Sequence, residues 1–158
     1  MSMEIKSYLR KFLKVRMELK GDDFFYVFIN LKNRASKELE FRKVIKAKVL
    51  AMSNEDKDLL GIPANEEGKV GSVYDFTFLT ENHSRFYYFV HDLADFYATK
   101  MVVDWEGVTE DGEKLDYNAS YMADLLSSNA DLVTSLATAI YGGDSSAELV
   151  DFEALKKT

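Results

Sequence analysis

Apolar and charged residues alternate near the start of the chain in a pattern that predicts a β-hairpin. Every second residue from 13 to 19 is apolar, with charged residues between them. This period of two is typical of a strand with one buried face. A turn-forming segment at 20–23 (Lys-Gly-Asp-Asp) leads into residues 24–31, which are rich in aromatic and β-branched side chains. The hairpin is predicted over about 12–31, and the pattern leaves open whether its second strand buries Phe24, Tyr26 and Phe28 or Phe25, Val27 and Ile29.

From residue 35 to about residue 141, apolar residues recur mostly at helical spacing. Helices are predicted over 35–52, 53–60, 80–101, 120–127 and 130–141. Ser53, with Asp56 three residues later, is the predicted cap of the second helix, and Asn118 is a good N-cap residue for the fourth. Residues 61–71 contain the single proline and three glycines, which predicts a loop, and residues 72–79 fit either a strand or the start of a helix. A lone hairpin is marginally stable, so helices must cover its apolar face. The predicted fold class is α+β, with an N-terminal β-hairpin packed on a mostly α-helical body over about 35–141.

The length of the chain predicts its domain organisation. At 158 residues it is long enough for one domain with a sizeable core, and a single domain over 1–158 is predicted. The tail at 144–158 is acidic and then basic. It is expected to be flexible, with a weak helix through Leu149, Phe152 and Leu155.

Composition favours a cytoplasmic protein. The absence of cysteine fits a reducing compartment. The N-terminus lacks the apolar core of a signal peptide, and no run approaches the ~18 apolar residues of a membrane helix. Neither secretion nor a membrane partner is therefore expected. The net charge of −7 repels phosphate, so nucleic acid is not an expected partner either.

Charge is distributed unevenly along the chain. Residues 1–50 carry 13 Lys and Arg against 6 Asp and Glu, a net charge of +7. The remaining residues carry 7 against 21, a net charge of −14. Opposite charges steer association. This asymmetry predicts either two solvated faces, a basic or acidic partner surface, or copies of the chain that meet head to tail.

Candidate catalytic and metal-binding residues are few. His83 and His91 are eight residues apart, too far for the i, i+4 pair of a helical metal site. His91 and Asp95 do have that spacing and could act as a base with its orienting carboxylate, but nothing else in the sequence completes the site. The acidic turn around Gly112 lacks the carboxylates of an EF-hand loop. No catalytic residue, cofactor or metal is therefore predicted, and the chain is expected not to be an enzyme.

A short motif around the single tryptophan is the most specific feature of the chain. The apolar run and turn at 102–108 (Val-Val-Asp-Trp-Glu-Gly-Val) is followed by an acidic, Gly-containing turn at 109–112, a stretch with Leu115 and Tyr117, and a closing helix. This arrangement, over roughly residues 95–141, resembles the tail assembly chaperones of long-tailed bacteriophages (siphophages). Members of that family often show an apolar run, a Trp-x-Gly-Val motif, an acidic Gly-containing turn, a short apolar stretch and a closing helix.

The resemblance implies a non-enzymatic protein of phage or prophage origin that acts in the host cell cytoplasm. Its expected partner is the tape measure protein or another tail protein, which it binds during tail morphogenesis, and self-association is a further expectation. Two alternatives stay open. One is a different phage or host interaction module, such as a tail completion or immunity protein, and the other is a small enzyme using His91 and Asp95.

Two groups of residues are assigned roles from the helical patterns. The closing helices have more apolar positions than two short helices can bury against themselves, which predicts an interface. The predicted protein-binding residues are Leu125, Leu132, Leu136, Ile140 and Tyr117. Large aromatic residues at helical spacing, and a glycine that lets the chain turn, are instead predicted to be structural. These are Trp105, Gly107, Phe89 and Phe96.

Overall fold

The fold is mixed α+β, as the sequence predicts, and it is seen in a computed structural model that describes residues 4–6, 11–62, 79, 82–141 and 147–151. Strands and helices are numbered in chain order. They are β1 (Lys11–Glu18), β2 (Phe24–Ile29), α1 (Arg34–Ala51), α2 (Asn54–Leu59), α3 (His83–Phe96), β3 (Val102–Glu106), β4 (Thr109–Glu110), β5 (Glu113–Lys114), α4 (Ala119–Ser128), α5 (Ala130–Tyr141) and β6 (Glu148–Asp151). A π-helical turn, Tyr97–Met101, continues α3.

The chain divides into two compact units. The first, called the sheet unit, consists of residues 1–34 and 94–158. The second, called the helical unit, consists of residues 35–93. Among the described residues, no helix is both long and apolar enough to cross a membrane.

The sheet unit is built on a four-stranded antiparallel sheet with the order β3-β2-β1-β6. The predicted hairpin is confirmed as β1 and β2. Its register places Leu13, Val15 and Met17 opposite three residues of β2 that are at most 4 % exposed. Directly opposed residues share one face of a sheet. The sequence left open which set of β2 residues is buried, and the structure buries Phe25, Val27 and Ile29. Phe28 of the other set is also buried, at 4 % exposed.

Two strands of this sheet were not predicted. Residues 102–106 form β3, which pairs with β2 and contains a bulge at Val103. In the tail, Glu148–Asp151 forms β6 and pairs with β1. The predicted weak helix through Leu149 is therefore wrong there, because Leu149 lies opposite Leu13 in an antiparallel ladder. Phe152 and Leu155 lie outside the described residues.

The helices of the sheet unit have the predicted positions. Asn118 caps α4, because its Oδ1 accepts a hydrogen bond of 2.9 Å from the backbone N–H of Tyr121. Helix α4 packs on the π-helical turn, and α5 packs on β1. The resulting core includes Met122 and Leu126, both 0 % exposed.

The helical unit contains most of α1, together with α2 and the first part of α3. The predicted cap of α2 is confirmed, since Ser53 Oγ accepts a hydrogen bond of 3.1 Å from the Asp56 N–H. An ion pair between Lys48 and Asp92 joins α1 to α3. The buried guanidinium of Arg85 on α3 donates to the carbonyls of Leu60 at 2.6 Å and Gly61 at 3.1 Å. Apart from Gly61, Ile62 and Leu79, the predicted loop at 61–71 and segment at 72–79 lie outside the described residues.

Candidate functional site

Trp105 of the sequence motif is held from several sides in the sheet unit. It lies opposite Val27 in the sheet and is 4 % exposed. Its indole Nε1 donates a 2.8 Å hydrogen bond to the carbonyl of Leu115. The Tyr117 ring meets it edge to face, with centroids 5.0 Å apart. These contacts make the segment after β3 fold back over the tryptophan.

Tyr117, predicted to bind a partner, is half-buried and forms a structural contact. Its hydroxyl donates a 2.6 Å hydrogen bond to the carbonyl of Ala98 in the π-helical turn. Burial, and secondly the nearby Asp104 carboxylate, raise the pKa of the Tyr117 phenol well above its ordinary value. The phenol therefore stays protonated and acts as a permanent hydrogen-bond donor.

The acidic turn of the motif is the tip of a small exposed hairpin. Strands β4 and β5 pair through Thr109 with Lys114 and through Glu110 with Glu113. Asp111 and Gly112 form the connection, with φ of 52° and 82°. Two successive positive φ values are typical of the tight hairpin turn that Asp-Gly favours. The turn predicted from sequence therefore closes a hairpin.

Gly107 links β3 to this small hairpin. It has a φ of +89°, which an L residue adopts only with strain. A Cβ at this position would lie 3.8 Å from Phe25, so space is not the limiting factor. The backbone conformation accounts for glycine here.

The predicted protein-binding residues of the closing helices are placed mostly in the core. Leu132, Leu136 and Ile140 are 3 %, 0 % and 5 % exposed. Leu125 is half-buried. The expectation that α5 leaves an exposed apolar surface is therefore wrong, because the sheet and α4 cover its apolar face. These three side chains are not presented on the surface.

The aromatic residues predicted to be structural on α3 lie buried, with Phe89 0 % and Phe96 7 % exposed. On the same helix, His91 and Asp95 are both exposed. No group of three His, Cys, Asp or Glu side chains within the described residues is arranged to hold a metal ion.

A surface that the sequence did not predict lies on the helical unit. Six large apolar or aromatic side chains are at least 48 % exposed among the described residues of this unit. Large apolar side chains exposed on one unit are candidates for a binding surface. We call these residues the apolar surface. They are Leu39, Val44 and Leu50 on α1, Leu59 on α2, and Tyr87 and Tyr88 on α3.

A cleft of about 490 Å³ lies within the helical unit beside this surface. It runs between the end of α1, the start of α2 and α3, and its walls combine aromatic, aliphatic and charged groups. The lining residues are Lys48, Ala51, Met52, Ser53, Asp56 and Tyr88. The cleft is open to solvent, and its lining is more polar than apolar.

Comparisons with protein-family models, with curated proteins and with solved structures give no match.

The sequence does carry a signal for the apolar surface. Residues 44 and 45 are both apolar, as are residues 49 and 50. Neighbouring residues on a helix lie about 100° apart, so each such pair must place its two side chains on different faces. Ile45 and Val49 are buried, which leaves Val44 and Leu50 exposed. The helical pattern over 35–52 therefore did not separate the buried residues of α1 from the exposed ones.

Proposed function

We propose that this chain is a non-enzymatic tail assembly chaperone of a phage or prophage, which binds the tape measure protein during tail morphogenesis. The observation that carries the proposal is the apolar surface of the helical unit. Two of its side chains lie on the same side of α1 and are about half exposed: Leu39 at 52 % and Leu50 at 48 %. Burying such side chains against a partner is favourable, and an amphipathic helix is a common partner for an elongated apolar surface.

The motif that resembles the chaperone family supports this proposal in a different way. Trp105 and Tyr117 are engaged in contacts within the sheet unit. On this proposal the motif stabilises a scaffold and the helical unit supplies the contact with the client. A client-binding protein of this kind needs exposed apolar groups and no reacting group.

Co-expression tests the proposed function. We expect the tape measure protein to become more soluble when this chain is expressed with it, because its apolar helical faces would be covered. The soluble fraction is measured by gel densitometry, and the complex by gel filtration. A soluble protein of similar size and charge, expressed at the same level, serves as the control. A client that remains insoluble, with no complex on the column, would show that the proposal is wrong.

We also expect copies of the chain to associate with one another, and this association should depend on the salt concentration. The +7 charge of residues 1–50 and the −14 charge of the rest attract each other between copies. Raising the salt from ~0.05 to ~0.5 M shortens the screening length about threefold. The average mass from sedimentation should therefore fall with salt. A monomer under both conditions, or a mass independent of salt, contradicts this prediction.

A further inference from the structure

Four residues of α1 form a continuous line on one side of the helix. Leu39, Lys43, Lys46 and Leu50 follow each other at intervals of four, three and four residues. This spacing keeps side chains on one face of a helix, and it extends over about 16 Å along the axis. Leu39, Lys43 and Leu50 are exposed and Lys46 is half-buried. We call this line the Leu-Lys stripe.

The two lysines of the Leu-Lys stripe have no ion pair with any part of the chain that the structure describes. In contrast, Lys48 on the same helix is paired with Asp92. Helix α1 carries six basic residues against two acidic ones. Lys43 and Lys46 thus offer uncompensated positive charge between two exposed leucines.

We propose that the Leu-Lys stripe binds an amphipathic α-helix whose apolar positions are flanked by Asp or Glu. The inference rests on the proposed function and specifies the chemistry of the client segment. Apolar side chains of the client would pack on Leu39 and Leu50, while its carboxylates pair with Lys43 and Lys46. Charge complementarity of this kind selects partners and orients them.

An anionic membrane is the main competing ligand for a helix with leucines and lysines. A helix that lies in a membrane interface needs a broad apolar face of large side chains. The stripe offers two leucines, and the next exposed position beside it is the small Ala47. A small residue beside two leucines suits the close approach of another helix better than insertion among acyl chains.

Two model peptides test the inference. They share the same apolar positions on a helix, and one carries Glu at the flanking positions where the other carries Lys. Binding to the full-length protein is measured by fluorescence anisotropy. We expect the Glu peptide to bind about tenfold more tightly at low salt, because it forms ion pairs with the exposed Lys43 and the half-buried Lys46. High salt should reduce this preference.

Reversing the charge of the Leu-Lys stripe tests the inference more decisively than the peptides alone. The double variant Lys43→Glu/Lys46→Glu should reverse the preference, so that the Lys peptide binds more tightly. Lys43→Glu alone, at an exposed position, should remove most of the preference. It replaces the double variant if substitution of the half-buried Lys46 destabilises the protein. The matched control is Lys32→Glu, an exposed lysine of the sheet unit. It should keep the wild-type preference.

The outcomes separate this inference from the proposed function. Equal binding of both peptides, or a preference unchanged in Lys43→Glu/Lys46→Glu, overturns the inference. If the tape measure protein is still bound in that case, the chaperone proposal stands. A third outcome favours a membrane ligand and overturns the inference. In it, the wild type sediments with phosphatidylserine vesicles, the double variant does not, and neither peptide is preferred.

Discussion

Truncation of Trp105 to alanine is expected to lower the free energy of unfolding by about 3–5 kcal/mol. The side chain is 4 % exposed, and its removal leaves a cavity beside β2, a central strand of the sheet. It also leaves the Leu115 carbonyl without its 2.8 Å hydrogen bond from the indole. A loss of this size is a large part of the total stability of a typical domain.

Chemical denaturation of three variants checks this prediction. Trp105→Phe keeps an aromatic ring but removes the indole donor, so its loss should be intermediate. Tyr121→Ala removes an aromatic side chain that is 52 % exposed and should change stability by no more than about 0.5 kcal/mol. A Trp105→Ala protein as stable as the Tyr121→Ala control would contradict the structural role given to the motif.

Substitution of Leu136 by aspartate is expected to unfold the sheet unit or to destabilise it severely. Leu136 is 0 % exposed on α5, which packs on β1. Removing a buried leucine side chain costs about 2–5 kcal/mol, and burying a carboxylate adds a further penalty. The sequence alone predicts the opposite. It assigns Leu136 to an interface, and substitution of a residue at an interface should leave the melting curve nearly unchanged.

Thermal melts of two variants distinguish these predictions. Thr134→Asp, at an exposed position of the same helix, is the matched control and should melt close to the wild type. Leu136→Asp should lose its cooperative transition or melt far lower. A native melting curve for Leu136→Asp, combined with loss of client binding, would restore the assignment of α5 to an interface.

Local signals in the sequence predicted much of the fold. The alternation at 13–19 predicted β1, and the capping residues Ser53 and Asn118 predicted where α2 and α4 begin. Strands β3 and β6 were not predicted because the strands with which they pair lie elsewhere in the chain. Each has five residues or fewer and depends on pairing with β2 or β1. Short strands of this kind are defined by their partners more than by their own composition.

The candidate surface was harder to predict than the fold. Apolar residues of α1 and α5 look equally suitable for burial in the sequence. Leu136 is buried and Leu50 is 48 % exposed, a difference that depends on what covers each helix. The apolar character of a position therefore indicates that its burial would be favourable. It does not identify whether this chain or a partner would bury it.

The central claim is that the apolar surface binds a helical client. It is tested most directly by titrating a labelled helical fragment of the tape measure protein into wild-type protein, into Leu39→Asp/Leu50→Asp, and into the control Tyr121→Asp. The two leucines are about half exposed, so the double variant should melt like the wild type. We expect saturable binding for the wild type and the control, and at least a tenfold loss, about 1.4 kcal/mol, in the double variant. Equal affinity of all three proteins, or no binding by the wild type, would contradict the claim.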